Sequence, residues 1–166
     1  MTWKGFKEKA PELAALGAER FERSGVILLG TIRKDGFPRI SPVEPLIVDG
    51  HLYLGMIWQS LKAVDLLRDP RCTVHSSISK RDGTEGEFKL YGRAVDIRDL
   101  EMRKSYCDAL YEKIGWKPQE PEYHLFSIDI ESAGFVCVQE GEQVVKLWKS
   151  GYGEQIEKRW KPSYLA

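Results

Sequence analysis

The sequence predicts a mainly β protein with helices, in which six or seven antiparallel strands form a closed or split barrel. Short apolar runs are separated by hairpin turns, Lys34-Asp35-Gly36 and Asp49-Gly50 among them. A short helical pattern interrupts the strands after the third one. Strands and helices do not alternate regularly, which argues against the parallel sheet of a dinucleotide-binding fold.

Composition argues against several classes of protein. The chain has 166 residues, and its 25 Lys and Arg residues balance 25 Asp and Glu residues. A dedicated nucleic-acid-binding protein would carry a basic excess. No apolar run approaches the roughly 20 residues that span a bilayer, and the N-terminus has no apolar stretch typical of a signal peptide. We therefore expect a cytoplasmic protein without nucleic-acid or membrane partners, built as a single domain over residues 1–166.

The first predicted helix covers residues 11–24, because Pro11 suits the first helical position and Gly25 can end the helix. Residues 26–32 form a short apolar run rich in β-branched side chains, which predicts a buried strand. The next predicted strand, residues 37–48, contains prolines that cannot donate to a ladder. It should therefore lie at a sheet edge or be irregular.

The third predicted strand, residues 51–57, alternates between two faces. Together with the two strands before it, this strand is predicted to form an antiparallel meander. Ser60 can cap the helix that follows, and this helix should end near Arg68 because Asp69-Pro70 disfavours its continuation.

Further strands are predicted on both sides of one more helix. Residues 71–79 and 87–97 have strand character, and Gly92 indicates a bulge or a close approach of two backbones. Asp99 can cap a helix that reaches Ile114. The side chains of this helix that are predicted to face the core are Leu100, Cys107, Leu110, Tyr111 and Ile114.

The C-terminal part of the chain predicts two or three more strands and a short final helix. The strands cover residues 125–130, 133–139 and 143–148, and the helix covers residues 153–160. A short C-terminal extension is expected from about residue 149 to residue 166.

The segment that joins the third strand to the following helix, residues 58–63 (WQSLKA), points to a phosphate site. Ser60 at the N-cap, the unpaired N–H groups of the first turn and the Lys62 ammonium converge on one point. A helix N-terminus with an added positive charge binds phosphate. The same residues are also typical of an ordinary capped helix with a solvated lysine, so this segment alone leaves both interpretations open.

Five motifs occur in a defined order: GFPR at residues 36–39, DG at 49–50, SLKA at 60–63, DPR at 69–71 and YGRA at 91–94. Their order and spacing resemble the FMN-binding split-barrel family, which includes pyridoxamine 5'-phosphate oxidase, general stress flavoproteins and deazaflavin-dependent reductases. The resemblance covers about residues 25–94. It implies a six- to seven-stranded antiparallel split β-barrel that binds FMN in a cleft at a homodimer interface.

The resemblance also implies which residues contact the flavin. The family's contacts to the terminal phosphate of the flavin correspond to Ser60 and Lys62 in this sequence. Arg39 corresponds to a further contact with the phosphate or the ring. The backbone of the second strand and the end of the third strand flank the isoalloxazine ring. The implied ring contacts are Ser41, Pro42, Val43, Met56, Ile57 and Trp58. The prolines of the second strand fit this role, because an incomplete ladder leaves backbone groups available to a ligand.

The sequence departs from the oxidase in three places. Leu61 stands where the first residue of an Arg-Lys pair follows the serine in the oxidase. Glu87 stands nearest to a glutamine of the oxidase and is taken as a further flavin contact; a carboxylate there would disfavour an anionic reduced ring. The oxidase's C-terminal segment with two spaced arginines is not reproduced. The resemblance therefore implies an FMN-dependent oxidoreductase that acts on a small-molecule substrate of unknown identity.

Two alternatives remain open. A deazaflavin coenzyme has a longer anionic tail, for which the candidate ligands are Lys7, Lys9, Arg20 and Arg23. A flavin- or haem-binding protein without turnover would need the same phosphate-binding turn at Ser60 and Lys62, which is called the phosphate turn below. No catalytic residue is named, because solvent can deliver protons to a flavin.

No metal site is predicted. The histidines are too far apart in sequence to indicate one, and Cys72, Cys107 and Cys137 form no C-x-x-C pair. A haem-ligating histidine remains an alternative, with His51, His75 and His124 as the candidates.

Overall fold

The structure, a computed structural model, describes residues 1–152 and 155–160. Within these residues the chain forms four helices: α1 (Trp3–Lys9), α2 (Pro11–Ser24), α3 (Leu61–Arg68) and α4 (Leu100–Ile114). The same residues contain nine strands: β1 (Ile27–Ile32), β2 (Pro38–Val43), β3 (Pro45–Val48), β4 (His51–Ile57), β5 (Arg71–Ser76), β6 (Glu87–Asp96), β7 (Tyr123–Gln139), β8 (Glu142–Lys149) and β9 (Gln155–Trp160).

The strands form one antiparallel sheet that curls back on itself without closing. Their order is β2-β1-β5-β6-β7-β4-β3, while β8 pairs with β7 and β9 pairs with β8. The two ends of this order, β2 and β3, are consecutive in the chain and are separated by Glu44. The chain therefore turns a corner at the place where the barrel is split. The predicted mainly β, antiparallel split barrel is confirmed, with nine strands rather than six or seven.

The predicted meander is confirmed in its two antiparallel pairings, but its middle strand is not continuous. The strand predicted over residues 37–48 breaks at Glu44 into β2 and β3, which lie at opposite ends of the sheet. Pro42 and Pro45 flank the break and carry no N–H group for a ladder, so a continuous paired strand cannot form there. As a result β2 pairs with β1, whereas β4 pairs with β3 and β7. The edge position predicted from the prolines is confirmed.

The main core lies between the sheet and the two N-terminal helices. The ring of Phe6 lies 5.0 Å from that of Trp148, and Phe21 meets Phe88 edge-on at 5.4 Å between ring centres. The predicted helix at residues 11–24 is confirmed, and Gly25 ends it with a left-handed φ of 65°. The prediction missed α1, whose seven residues are too few to show a helical period.

The second core is a smaller cluster of tyrosines and leucines between α4 and the β3–β4 hairpin. Tyr106 and Leu110 of α4 are buried against it, and the Tyr106 ring meets that of Tyr53 edge-on. Of the α4 side chains predicted to face inward, Leu110 is buried and Cys107 is half-buried. The prediction is wrong for Leu100, Tyr111 and Ile114, which are exposed. The helix rests on the sheet along a narrow stripe, so its second apolar stripe faces outward.

Two predictions for the C-terminal region need correction. The strands predicted at residues 125–130 and 133–139 are halves of one strand, β7, which pairs with β4 and β6 and then with β6 and β8. The helix predicted over residues 153–160 is wrong for residues 155–160, which form β9 on the edge of β8. Residues 153–154 and 161–166 lie outside the described part of the chain.

Among the helices in the described ranges, none has the length and apolar character needed to cross a membrane.

The pairing of β6 with β7 contains a bulge at which the two backbones approach closely. The register shifts between Tyr91 and Gly92, and a Cβ added at Gly92 would overlap the carbonyl oxygen of Asp129. We expect Gly92→Ala to lower the free energy of unfolding by about 1–3 kcal/mol, because the neighbouring strand must move. Urea denaturation measures this change.

Gly30→Ala is the matched control for this substitution. Gly30 also lies within a strand, but a Cβ there would meet its nearest atom, the Thr73 Cβ, at an ordinary 3.6 Å. Its effect should stay within about 0.5 kcal/mol. Equal losses of stability in the two variants would contradict the proposed close approach at Gly92.

Candidate functional site

The turn between β4 and α3 presents backbone donors at the start of a helix. Gln59 has a left-handed φ of 56°, which bends the chain out of β4. The Ser60 N–H donates to the Ile57 carbonyl at 3.1 Å, and the first bond of α3 runs from the Val64 N–H to the Ser60 carbonyl at 3.0 Å. The three N–H groups of residues 61–63 therefore have no acceptor within the helix.

Two side chains converge on this turn. Ser60 occupies the N-cap of α3 but its hydroxyl does not cap the helix. The Ser60 Oγ is buried and has no hydrogen-bond partner in the part of the chain that the structure describes. The Lys62 Nζ donates to the carbonyl oxygen of Pro42 at 2.6 Å, which ties the turn to β2. A buried polar atom without a partner is costly, so this arrangement fits a ligand that bonds to Ser60.

A buried carboxylate next to the turn holds a second cation. Asp65 of α3 accepts a hydrogen bond from the Thr31 hydroxyl at 3.0 Å and one from the Arg39 Nε at 2.7 Å. Burial alone would raise the pKa of Asp65, but the hydrogen bonds from Arg39 and Thr31 outweigh this effect and keep the pKa below its usual value. Asp65 is therefore ionised at neutral pH, and Arg39 is fixed beside α3.

Arg39 keeps part of its donor capacity. The bond to Asp65 uses Nε, and neither Nη atom has a hydrogen bond to any of the described residues. The side chain is 24% exposed, so its outer nitrogens can meet a ligand. The ion pair with Asp65 thus orients Arg39 without saturating it.

The end of β4 carries an aromatic stack. Met56 points into the core, while Ile57 and Trp58 are exposed. The Trp58 ring stacks on His124 of β7, with 4.3 Å between ring centres and 11° between planes. His124 is buried, its Nε2 has no partner among the described residues, and burial lowers its pKa. The imidazole is therefore neutral at pH 7, and its stacking contact orients the Trp58 ring.

Among the predicted ring contacts of β2, the side chains differ in where they lie. Val43 is buried in the core, so a ligand at this position would meet its backbone. Ser41 is half-buried and Pro42 is exposed. Because β2 is an end strand that pairs only with β1 within the described residues, its other backbone edge is available at the corner near α3.

Glu87 is separated from the other predicted site residues. The strands β1 and β5 lie between β2 and β6, which places the two backbones about 14 Å apart as measured along the sheet, at roughly 4.8 Å per strand. The Glu87 carboxylate instead accepts a hydrogen bond from the Lys89 Nζ at 2.7 Å and lies 3.4 Å from the His75 Nε2. The hydrogen bond from Lys89 lowers the pKa of Glu87. Glu87 is thus an ion-paired residue of the outer sheet face.

Sequence reasoning missed one residue of this region, Asp65, and named His124 only as an alternative haem ligand. Asp65 follows Lys62 by three residues in an otherwise apolar helix face, and that unusual carboxylate between Ala63 and Leu66 was the available signal. The contact of His124 with Trp58 carried no such signal, because the two residues lie far apart in sequence and meet only through the β4–β7 pairing.

Comparisons with known proteins agree with this geometry. A family model described as pyridoxamine 5'-phosphate oxidase matches residues 16–137, which is more than half of the chain and includes β2, α3 and most of β7. No curated protein matches the sequence.

Solved structures of low sequence identity share the fold. A pyridoxamine 5'-phosphate oxidase-related, FMN-binding protein from Nostoc punctiforme is 15% identical with a TM-score of 0.67, over 92% of this chain and 96% of that one. PhzG from Burkholderia lata, solved with tetrahydrophenazine-1-carboxylic acid, is 11% identical with a TM-score of 0.64, over 96% and 93%. The haem storage protein HutZ from Vibrio cholerae is 16% identical with a TM-score of 0.61, over 74% and 89%.

These solved structures share the fold of this chain. The family model shows in addition that the sequence of residues 16–137 matches the family. The matched residues contain the corner at Glu44, the Ser60–Lys62 turn and the whole of α3. The chain therefore belongs to the pyridoxamine 5'-phosphate oxidase family of FMN-binding split-barrel proteins.

Proposed function

We propose that this protein binds FMN at the turn between β4 and α3 and acts as an FMN-dependent oxidoreductase on a small-molecule substrate. The observation that carries the proposal is the buried Ser60 hydroxyl without a described partner, next to the N-terminus of α3 and the Lys62 ammonium. A phosphate would accept hydrogen bonds from all three. The family relationship supports the same cofactor class.

The charges around the turn suit a phosphate dianion. Lys62 and Arg39 supply two cations, and the N-terminus of α3 adds a partial positive charge. Asp65 is the nearby carboxylate, but its oxygens are already occupied by Thr31, Arg39 and Arg68. Leu61, where the oxidase has a basic residue, is exposed and contributes no charge. The site therefore fits a phosphate with one fewer cation than the oxidase provides.

The bound flavin would supply hydride or electron transfer, and the residues of this chain would bind and orient it. Lys62 and Ser60 hold the phosphate end. The edge of β2 at residues 41–43 presents backbone groups to the ring, and Trp58, held by His124, limits the access of water on the side of β4. Glu87 stands on β6, which pairs with neither β2 nor β4, and its predicted flavin contact stays a prediction.

Haem binding is a second candidate function, because His124 offers a neutral imidazole with an unpartnered Nε2 among the described residues. The structural likeness to a haem storage protein is compatible with it. A deazaflavin coenzyme would use the same phosphate turn, but its longer tail needs further cations. Arg20 pairs with Glu19, and Arg23 pairs with Glu85, so these two candidates are already engaged.

We also propose a homodimer. Large apolar side chains are exposed on and just before β2, from the end of β4 through the β4–α3 turn, and on α3: Phe37, Ile40, Ile57, Trp58, Leu61, Val64 and Leu67. The bonds from Lys62 to Pro42 and from Arg39 to Asp65 hold these elements side by side. A stable interface of about 800 Å² per partner would cover such a surface.

The FMN proposal predicts a phosphate-specific defect in Lys62→Ala. Loss of a charge-assisted bond of about 1.5–3 kcal/mol should weaken FMN binding roughly 10- to 150-fold. Riboflavin, which has no phosphate, should bind the variant and the parent equally. Fluorescence titration of both flavins measures this difference.

Lys34→Ala, on the exposed β1–β2 turn, is the control variant and should leave FMN binding unchanged. If Lys62→Ala weakened riboflavin binding as much as FMN binding, the phosphate assignment of this turn would be wrong. Equal FMN affinity in Lys62→Ala and the parent would also show that the phosphate assignment is wrong.

The cofactor is distinguished by parallel titrations with FMN, a deazaflavin coenzyme and haem. We expect FMN to be retained after removal of excess ligand, with the two-band flavin spectrum. We expect no haem absorption band that depends on His124, so His124→Gln and the parent should give the same spectrum with haem. A haem band in the parent that disappears in His124→Gln would favour haem binding over FMN.

The dimer is checked by sedimentation velocity of the parent and of Ile40→Glu. A glutamate at this exposed position should dissociate the dimer, because burying an unpaired carboxylate is costly. Ile114→Glu, on the outward stripe of α4, is the matched control and should remain dimeric. A monomeric parent at micromolar concentration would refute the proposal.

A further inference from the structure

A trough crosses the outer face of the sheet where β6, β7 and β8 lie side by side. Two neighbouring rows of residues form it. One row is Tyr91, Ser132 and Lys149, and the other is Lys89, Gly134 and Leu147. The trough has a volume of about 610 Å³, which lies within the usual range for a small-molecule site. None of these residues belongs to the phosphate turn.

The trough is concave because its central strand carries small residues. Ser132 and Gly134 of β7 form the floor, and larger side chains of β6 and β8 form the walls. A Cβ at Gly134 would lie 3.1 Å from the Leu147 Cδ2, so the glycine allows Leu147 to lean over the floor. Three strands and two rows give a floor about 10 Å by 7 Å, which matches a flat two-ring molecule.

The opposite face of the same strands is firmly packed. Leu90, Ala133 and Trp148 form the single row between the two trough rows, and all three are buried. The Trp148 ring packs on Phe6 in the main core. The trough floor is therefore rigid, which reduces the entropy lost when a ligand binds.

The walls combine aromatic surface with one cation that has no carboxylate partner. Tyr91, Leu147 and Tyr152 are exposed at the rim. The Lys149 ammonium lies 5.2 Å from the Tyr152 ring centre, and no described carboxylate lies within salt-bridge distance of it. By contrast, Lys89 is paired with Glu87.

The other charged groups around the trough offset each other. Glu87 also approaches His75, and in the next row Arg93 pairs with Glu131. Lys149 is consequently the cation at the trough that lacks a described carboxylate partner. Lys158, on the same sheet face, also lacks one, but it stands on β9, one strand beyond β8.

We infer that this trough binds a planar aromatic anion, such as an aromatic carboxylate. The ring system would lie on Gly134 and Ser132 between Tyr91 and Leu147, and the acid group would face Lys149. Aromatic and aliphatic walls recognise the ring, and the ammonium distinguishes an anion from a neutral compound of the same shape. The inference rests on the geometry of this face and does not depend on flavin binding.

The test uses 2-naphthoate and its neutral analogue 2-naphthalenemethanol as probes of the full-length protein, with isothermal titration calorimetry as the readout. The parent should prefer the carboxylate. Lys149→Gln should weaken 2-naphthoate binding about tenfold and leave 2-naphthalenemethanol unchanged. Gly134→Val should weaken the binding of both probes, because it fills the floor.

Lys34→Gln is the charge-matched control and should behave as the parent. Lys149 is exposed, so its variant keeps the test valid even if Gly134→Val unfolds. Equal affinity of the parent for both probes, no binding of either, or an unchanged preference in Lys149→Gln would overturn the inference. Dissociation of the dimer in Leu147→Glu would also overturn the inference. It would mean that a second copy of the chain covers the trough. FMN titration of the same samples shows separately whether the phosphate turn is intact.

Discussion

The arrangement of the candidate site depends on the buried carboxylate of Asp65. This residue joins α3 to β1 through Thr31 and to β2 through Arg39, and it also contacts Arg68 of its own helix. The Arg68 guanidinium in turn donates to the carbonyl of Ile32. A buried carboxylate is stable only while its partners remain, so these elements must keep their relative positions. Lys62 lies in the first turn of this helix and Ser60 at its N-cap, so the network also holds both residues near β2.

A second constraint acts on β2 itself. Pro42 and Pro45 prevent a continuous ladder, and the chain turns at Glu44 from one end of the sheet to the other. The backbone of β2 therefore keeps one edge that pairs with no described strand, and the Lys62 ammonium reaches the Pro42 carbonyl there. The split in the barrel and the opening beside the β4–α3 turn thus have the same physical origin.

Features that depend on neighbouring residues could be predicted from the sequence. Helix α2 follows from Pro11 and Gly25, the end of α3 follows from Asp69-Pro70, and the bulge follows from Gly92, because each is determined by local backbone preferences. The order of the motifs also indicated the family. The inward face of α4 was not predictable, because Leu100, Tyr111 and Tyr106 are all apolar or aromatic and the choice among them depends on what the helix meets.

By itself, the sequence determined the antiparallel strands, the helix that carries Ser60 and Lys62, and the proline-rich edge strand, since caps, turns and prolines act within a few residues. The tertiary structure alone decided which strands become neighbours. The pairing of β4 with β7 brings His124 beneath Trp58, and the curl of the sheet brings Asp65 to Arg39. Such contacts depend on the closure of long loops and on the packing of a common core, and no local pattern in the chain records them.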